Sequence, residues 1–281
     1  MPDMFKSILN GDDVSKVVQG EEPSVDEIPN LRGAVIRGLV EISRGCGREC
    51  RFCTPGMQKL RHKPIEHILE DAKINLETGV GDIGLHSEDV LRYGTEEIEP
   101  DPEKVIELLT RVSSLEGVEG MGTSHIALAT AYHNPDLVEE VSEIFLSLPD
   151  TEFIGTQTGI ETGSPRLIEK YMSGKALPSS PEEWPEIVKQ SLGILVENGW
   201  IPACTTINGL PGEEPDGVVR TFLLLFRPGD LSFTGIDFDY RLHQVIQTFF
   251  PYQVSERFQF SKISHHQTPL LRRVTSRICR V

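Results

Sequence analysis

The sequence predicts an α/β fold of parallel strands. Three observations carry that expectation. Short apolar or β-branched runs alternate with segments of helical period, strand precedes helix five times in succession, and Gly or Pro punctuates most of the joints. Gly38–Ser43 reads as a short buried strand, and a Cys-rich loop follows it. Pro64–Thr78 sets Ile65, Ile68, Leu69, Ala72 and Leu76 at helical spacing and is closed by Gly79. Asp82–His86 is the second strand. Pro102–Leu115 is the second helix, with Val105, Ile106, Leu108 and Leu109 inward. Met121–Ala129 contains the third strand, and Pro135–Leu148 is a helix with Pro in its first turn. Phe153–Ile160 is the fourth strand, followed by a short helix over Ser164–Met172 and a longer one over Pro181–Asn198 that Gly199 ends. Ile201–Asn208 is the fifth strand and Glu213–Phe226 the helix after it. Strands joined through helices run parallel, so the unit is an α/β barrel or an open doubly wound sheet. In either, ligands sit at the C-terminal ends of strands, here the loops after Ser43, His86, Ala129, Ile160 and Asn208.

The flanks differ from this core. Residues 1–37 hold no strongly periodic segment; Val17–Gly20 reads as a strand end and Glu21–Arg32, with Pro23 and Pro29, as a linker. From Arg227 onward there are 8 basic and 4 acidic residues, whereas the first 226 carry 19 and 39. Leu231–Phe238 is the one candidate for a sixth strand, and its alternation is weak. The sequence thus divides into a linker-like segment 1–37, a core 38–226 and a basic tail 227–281. Two readings of the tail stand side by side, a native extension or an altered reading frame.

The net charge of −16 argues against a broad basic surface for nucleic acid or anionic lipid and leaves room for a local basic pocket. No run of about 18 apolar residues is present to span a membrane, and Met1–Asn10 lacks the apolar stretch of a secretory signal. The expectation is a cytoplasmic protein with no membrane partner.

Five cysteines are too few for a disulfide scaffold, and three of them fall at Cys46, Cys50 and Cys53. The spacing is C-x3-C-x2-C, with Phe52 before the last Cys, directly after the first strand. Three thiolates on one loop suit an iron–sulfur cluster or zinc. With four irons and three thiolates, one iron is left open to a ligand. Gly45 and Gly47 let the backbone wrap the group, and Arg44, Arg48 and Arg51 offset its negative charge. The zinc alternative takes His62 as fourth ligand; no second Cys pair accompanies it. Cys204 reads as a small buried hydrophobe in the fifth strand, His125 as a hydrogen-bonded core residue, and Lys175 and Trp184 as surface and packing.

The cysteine motif, with the phrases Val40–Cys53, Gly159–Pro178 and Ile207–Asp216, resembles the radical S-adenosylmethionine superfamily over residues ~35–226. Within it the phrases look most like the branch that carries an N-terminal cobalamin-binding domain and like the methylthiotransferases. A cobalamin domain of ~120 residues does not fit in the residues before Val17, so cobalamin is expected only through a partner. The resemblance implies a partial (β/α)6-type radical SAM barrel, incomplete at its C-terminus if the sixth strand is missing. It implies that Cys46, Cys50 and Cys53 ligate a 4Fe–4S cluster whose fourth iron binds the amino and carboxylate groups of S-adenosylmethionine. One electron, from a reductant such as ferredoxin or flavodoxin, would then break the S–C5′ bond and give a 5′-deoxyadenosyl radical for hydrogen abstraction or methylation. Phe52 would lie by the adenine. Ser87, Glu88 and Asp89 stand where the family has a Gly-Gly-Glu-like motif for the methionine amino group. Glu161 and Thr162 match a position at the ribose or methionine end, Arg166 would pair with the carboxylate, and Gly209 belongs to a loop that meets the adenine. Glu161 and Gly209 also have ordinary readings as a helix cap and a turn residue. The alternatives are a cobalamin-assisted methylase or a methylthiotransferase working with a partner chain, and a non-catalytic metal-binding fragment. The chain has no second Cys triad for an auxiliary cluster, which counts against the methylthiotransferase version. The substrate is not legible, and net acidity argues against free nucleic acid.

Overall fold

Strand follows helix along the chain, and the strands lie side by side in the order in which they occur. The computed structural model describes residues 2–16, 23–225 and 247–248, all within one compact unit, Met1–Phe249. The strands are β1 Leu39–Glu41, β2 Ser43–Arg44, β3 Arg61–His62, β4 Asp82–His86, β5 Gly120–Thr123, β6 Ile154–Glu161, β7 Trp200–Thr206 and β8 Gln247–Thr248. The α-helices are α1 Pro2–Asn10, α2 Ile65–Leu76, α3 Pro102–Ser113, α4 Leu128–His133, α5 Pro135–Leu146, α6 Pro165–Met172, α7 Trp184–Glu197 and α8 Pro215–Leu225.

Two parallel sheets, β1-β4-β5 and β6-β7-β8, meet through a parallel bridge between His125 and Gln157. Leu39 pairs with Gly84, Asp82 with Gly120, Ile154 with Trp200 and Thr205 with Gln247. A doubly wound sheet reverses strand order near its middle. Here the order runs one way, which is the geometry of a partial (β/α) barrel. A two-stranded antiparallel ribbon, β2–β3, stands aside and carries the cysteine loop between its strands.

The helices form where the sequence places them, for identifiable reasons. Asp101 caps α3 by accepting from the Lys104 N–H at 3.3 Å, with Pro102 at the first turn. Gly199 follows α7 with φ of +81°, a conformation open to glycine at little cost. The inner stripe of α3 (Val105, Leu108, Leu109, Val112) and that of α7 (Ile187, Val188, Leu195) are fully buried in the core. Trp200 at the start of β7 donates to Ser142 Oγ of α5 at 2.7 Å, tying helix layer to sheet.

Four departures from the sequence reading are instructive. The first strand breaks at Ile42, whose N–H bonds His86 O while its carbonyl takes the Lys63 N–H, so the chain leaves β1 to enter the ribbon. The third strand is shorter than Met121–Ala129; the chain turns into α4 at Leu128, where Thr130 donates to the buried Asp89 at 2.6 Å. A helix, α1, occupies Pro2–Asn10 where no strong period is visible. In the segment that reads as a linker, the N–H groups of Leu31 and Val35 bond Asp71 and Asn75 of α2, each at 2.8 Å. Asp71 also pairs with the buried Lys63. Val17–Gly20, Leu231–Phe238 and all but two residues of the tail lie outside the described residues. Among the described residues no helix is long and apolar enough to cross a membrane.

Candidate functional site

The cysteine loop is fixed by its own backbone. Cys46 N–H bonds Pro55 O at 3.0 Å, Gly47 N–H bonds Gln58 O at 3.0 Å and Glu49 N–H bonds Gly56 O at 2.8 Å. Gly45, at φ +75°, packs so close to Lys59 that an added Cβ would sit 2.4 Å from its carbonyl oxygen, so glycine is required there. Two buried arginines complete the frame. Arg48 reaches the carbonyls of Gly174, Lys175 and Leu177 at 3.0–3.3 Å, Thr130 Oγ1 at 2.8 Å and Asp89 at 3.7 Å. Arg92 donates to Cys46 O at 3.0 Å and to the carbonyl of Glu97. Burial pushes the Cys46 and Cys50 thiols upward. Nearby positive charge opposes the shift, from Arg48 at Cys46 and from Lys175 at Cys50. Arg44, in contrast, is engaged by Glu41 at 2.6 Å.

A cavity of about 200 Å³ opens over this loop at the C-terminal ends of the strands. Cys46, Cys50, Cys53 and Phe52 form one wall; Glu88, His125, Gln157, Glu161, Lys175 and Trp184 line the other. Small residues make room for it, since Gly159 and Thr205 line it where larger side chains would fill a closed barrel. Glu161 ends β6 at φ +62°, in the left-handed region, just past a register shift against β7. Its carboxylate lies 3.4 Å from Lys175 Nζ. The indole N–H of Trp184 bonds the carbonyls of Ile160 and Thr162 at 3.2 and 3.1 Å, on either side of Glu161, and holds that conformation.

Seven of the residues singled out in the sequence meet on this cavity: Cys46, Arg48, Cys50, Phe52, Cys53, Glu88 and Glu161. Five do not line it. Asp89 is buried and turns to Thr130, Ala127 N–H and Arg48. Ser87 is buried beneath Ser124, whose hydroxyl donates to Ser87 O at 2.8 Å. The Thr162 hydroxyl accepts from Ser164 N–H at 3.2 Å. Arg166 is half exposed and donates to Gly212 O at 2.6 Å, with Glu214 at 3.4 Å. Gly209, at φ +85°, donates its N–H to Glu213 at 2.6 Å as a turn residue does.

Three residues that the sequence reads as core, surface or packing line the cavity: His125, Lys175 and Trp184. The first lines the cavity with its Nδ1 unpartnered, rather than sitting hydrogen-bonded in the core. Lys175 lies within the phrase Gly159–Pro178 that carries the resemblance, which is the signal that could have found it. Cys204 is the buried hydrophobe expected, its thiol pushed up to about 12 by burial.

The donor set fits an iron–sulfur cluster better than zinc. Each thiolate of a cubane binds its own iron, so the sulfurs need to stand around a space rather than converge on a point. Among the described residues no three His, Cys, Asp or Glu side chains are arranged to hold a single ion. His62, the proposed zinc partner, lines no part of the cavity; its Nε2 is 2.7 Å from Thr95 O and its ring packs edge-on to Tyr93. The Gly56 N–H meets Cys53 Sγ at 3.4 Å, a donor of the kind thiolate-ligated clusters use.

Comparison with known proteins agrees with this chemistry. A sequence profile of the radical SAM superfamily matches residues 40–225. The chain is 27% identical over 241 residues to a tRNA-2-methylthio-N(6)-dimethylallyladenosine synthase of Magnetococcus marinus, covering 82% of this chain and 50% of that protein. It is 26% identical over 224 residues to the ribosomal protein uS12 methylthiotransferase RimO of Carboxydothermus hydrogenoformans, covering 78% and 42%. The chain therefore spans half or less of the length of these relatives. Among solved structures it is similar to the radical S-adenosylmethionine methyltransferase TsrM of Kitasatospora setae, which has cobalamin and a [4Fe-4S] cluster bound, at a TM-score of 0.45 and 14% identity over 66% of this chain and 33% of that one.

Proposed function

Because the chain belongs to the radical S-adenosylmethionine superfamily, whose cofactors are a 4Fe–4S cluster and S-adenosylmethionine, we propose that its strand-end cavity cleaves S-adenosylmethionine reductively. The observation that carries this reading is the meeting of Cys46, Cys50 and Cys53 with Glu88, Glu161 and Phe52 on one cavity. When bound, the cluster supplies the electron that breaks the S–C5′ bond, giving methionine and a 5′-deoxyadenosyl radical. The three cysteines hold the cluster, Phe52 packs by the adenine, Glu88 accepts from the methionine ammonium and Glu161 from the ribose. Asp89 fixes the loops that carry these residues, as do Ser87, Thr162 and Gly209. The carboxylates of Glu88 and Glu161 suit a ligand with a sulfonium and an ammonium. The electron comes from a reductant of the ferredoxin or flavodoxin class.

A second reading is favoured by the relatives. Two are named as methylthiotransferases or synthases of a methylthio-nucleoside, so the reaction would place a methylthio or methyl group on a substrate with the help of a cobalamin-bearing or cluster-bearing partner chain. A tRNA or ribosomal-protein substrate belongs to this reading, and the net charge of −16 leaves RNA contacts to such a partner.

The test is electron paramagnetic resonance of anaerobically reconstituted, reduced protein, with and without S-adenosylmethionine, beside product analysis for 5′-deoxyadenosine. The expected result is a 4Fe–4S signal that changes shape on adding S-adenosylmethionine, with cleavage abolished in Cys46→Ala, Cys50→Ala and Cys53→Ala. A signal indifferent to S-adenosylmethionine would leave the chain as a metal-binding fragment and sink the proposal.

A further inference from the structure

Resting on that reading, we infer that Arg92 is the resident counter-charge of the cluster, a positioning residue that sets how readily the cluster accepts an electron. The 3₁₀ turn Val90–Arg92 follows β4 and carries Arg92 inward, where it is 1% exposed. Three cations are buried among the described residues: Arg48, Lys63 and Arg92. Lys63 pairs with Asp71, and Arg48 stands 3.7 Å from Asp89. Arg92 differs, because among the described residues its hydrogen bonds go only to main-chain carbonyls. Its Nη1 donates to Cys46 O at 3.0 Å, Nε and Nη2 donate to Glu97 O at 2.9 and 2.7 Å, and Nη2 reaches Glu96 O at 3.4 Å. Asp89 is already engaged by Arg48, by the Thr130 hydroxyl at 2.6 Å and by the Ala127 N–H at 3.2 Å. Carbonyl dipoles solvate a cation and do not cancel it, and a buried charge without a counter-ion is costly.

The anion that answers this charge is the one the cysteine loop would hold. A 4Fe–4S core on three thiolates is negative, and one-electron reduction adds a further negative charge. Net charge and nearby fields set the potential of such clusters. A fixed cation stabilises the reduced state more than the oxidised one, and partly buried surroundings strengthen its reach. Arg92 bonds the carbonyl of Cys46, the first of the three cysteines, so its charge is fixed to the loop itself. The other two cations at the loop are each offset by a carboxylate, Arg48 by Asp89 and Lys175 by Glu161 at 3.4 Å. Arg92 lines no part of the cavity, so a change there acts on the cluster and not through contact with the ligand.

The experiment is a redox titration followed by electron paramagnetic resonance on anaerobically reconstituted wild type, Arg92→Gln and Arg92→Lys, with iron content measured alongside. Arg92→Gln removes the charge and keeps a donor for a carbonyl; Arg92→Lys keeps the charge and loses the guanidinium fork. Arg92→Gln is expected to shift the one-electron equilibrium at least about tenfold against the reduced state, about 59 mV lower, while Arg92→Lys stays close to the wild type. Equal shifts in the two variants, or none in Arg92→Gln, would make Arg92 a structural clamp and overturn the inference. Where Arg92→Gln takes up no cluster, iron content carries the comparison: Arg92→Lys should load as the wild type does, and failure of both would overturn the inference. Wild-type protein that loads no cluster would overturn this inference and the proposed function together. A wild-type signal indifferent to S-adenosylmethionine would sink the cleavage reading alone, with Arg92 still judged by the three potentials.

Discussion

The two walls of the cavity are built by opposite means. The cysteine wall is held by backbone hydrogen bonds within its own loop and by two buried arginines that bond carbonyl groups. The wall opposite is held by a few side chains: a carboxylate in a left-handed conformation, a lysine 3.4 Å away and an indole that bonds the flanking carbonyls. The first is rigid before any group binds. The second sets its charges through contacts that a ligand can exchange. Under the proposed function, such a site would assemble its cluster on a preformed frame and keep adaptability for the ligand that comes and goes.

Arg48 belongs to both walls, and its loss should have the largest effect. Arg48→Leu removes the donors of three carbonyls and leaves Asp89 buried without its cation, a change of about 3–5 kcal/mol in stability. Iron incorporation after reconstitution should fall with it. A urea melt showing less than about 1 kcal/mol of loss would mean that the frame is held elsewhere.

Trp184→Phe is narrower. It keeps an aromatic ring beneath Lys175 and removes an N–H from the Thr162 carbonyl and from the Ile160 carbonyl, which retains the Thr162 N–H, at about 1–3 kcal/mol. Affinity for S-adenosylmethionine should drop while cluster loading stays at the wild-type level. A loss of cluster without a loss of ligand affinity would reverse the division of labour between the walls.

How far the sequence discloses this depends on what carries each feature. Helix and strand positions were legible because burial imposes period. Val105, Leu108, Leu109 and Val112 share one face of α3, and the fourth strand is one residue off at each end. The cysteine wall was legible because three cysteines fall within eight residues on one loop, and that loop folds locally. The opposite wall was legible only at Glu88 and Glu161; its members His125, Lys175 and Trp184 join it by three-dimensional convergence. Lys175 sits 14 residues beyond Glu161 and reaches it through a segment that Arg48 positions. Arg166 is the near neighbour in sequence, yet the first turn of α6 points it to Gly212. Helix α4 was hidden because its buried Thr130 and alanines give no amphipathic signal of their own.

The smallest expected effect compares the walls at one shared device. Each uses a non-glycine residue in the left-handed region, Glu49 at φ +55° in the cysteine loop and Glu161 at φ +62° at the end of β6. Such a conformation costs an ordinary residue roughly 1–2 kcal/mol, while glycine gives back about 0.5–1 kcal/mol through the freedom it adds to the unfolded chain. Glu49 is exposed and contributes its N–H, which glycine retains, to Gly56 O. Glu49→Gly should therefore raise stability by up to about 1 kcal/mol with cleavage of S-adenosylmethionine unchanged. Glu161→Gly gains the same backbone relief but removes the counter-ion of Lys175 and a carboxylate from the cavity, so ligand affinity should fall whatever happens to stability. Loss of cleavage in Glu49→Gly would show that its left-handed turn places a carboxylate that the chemistry needs, and the two walls would then be alike in the one respect that now separates them.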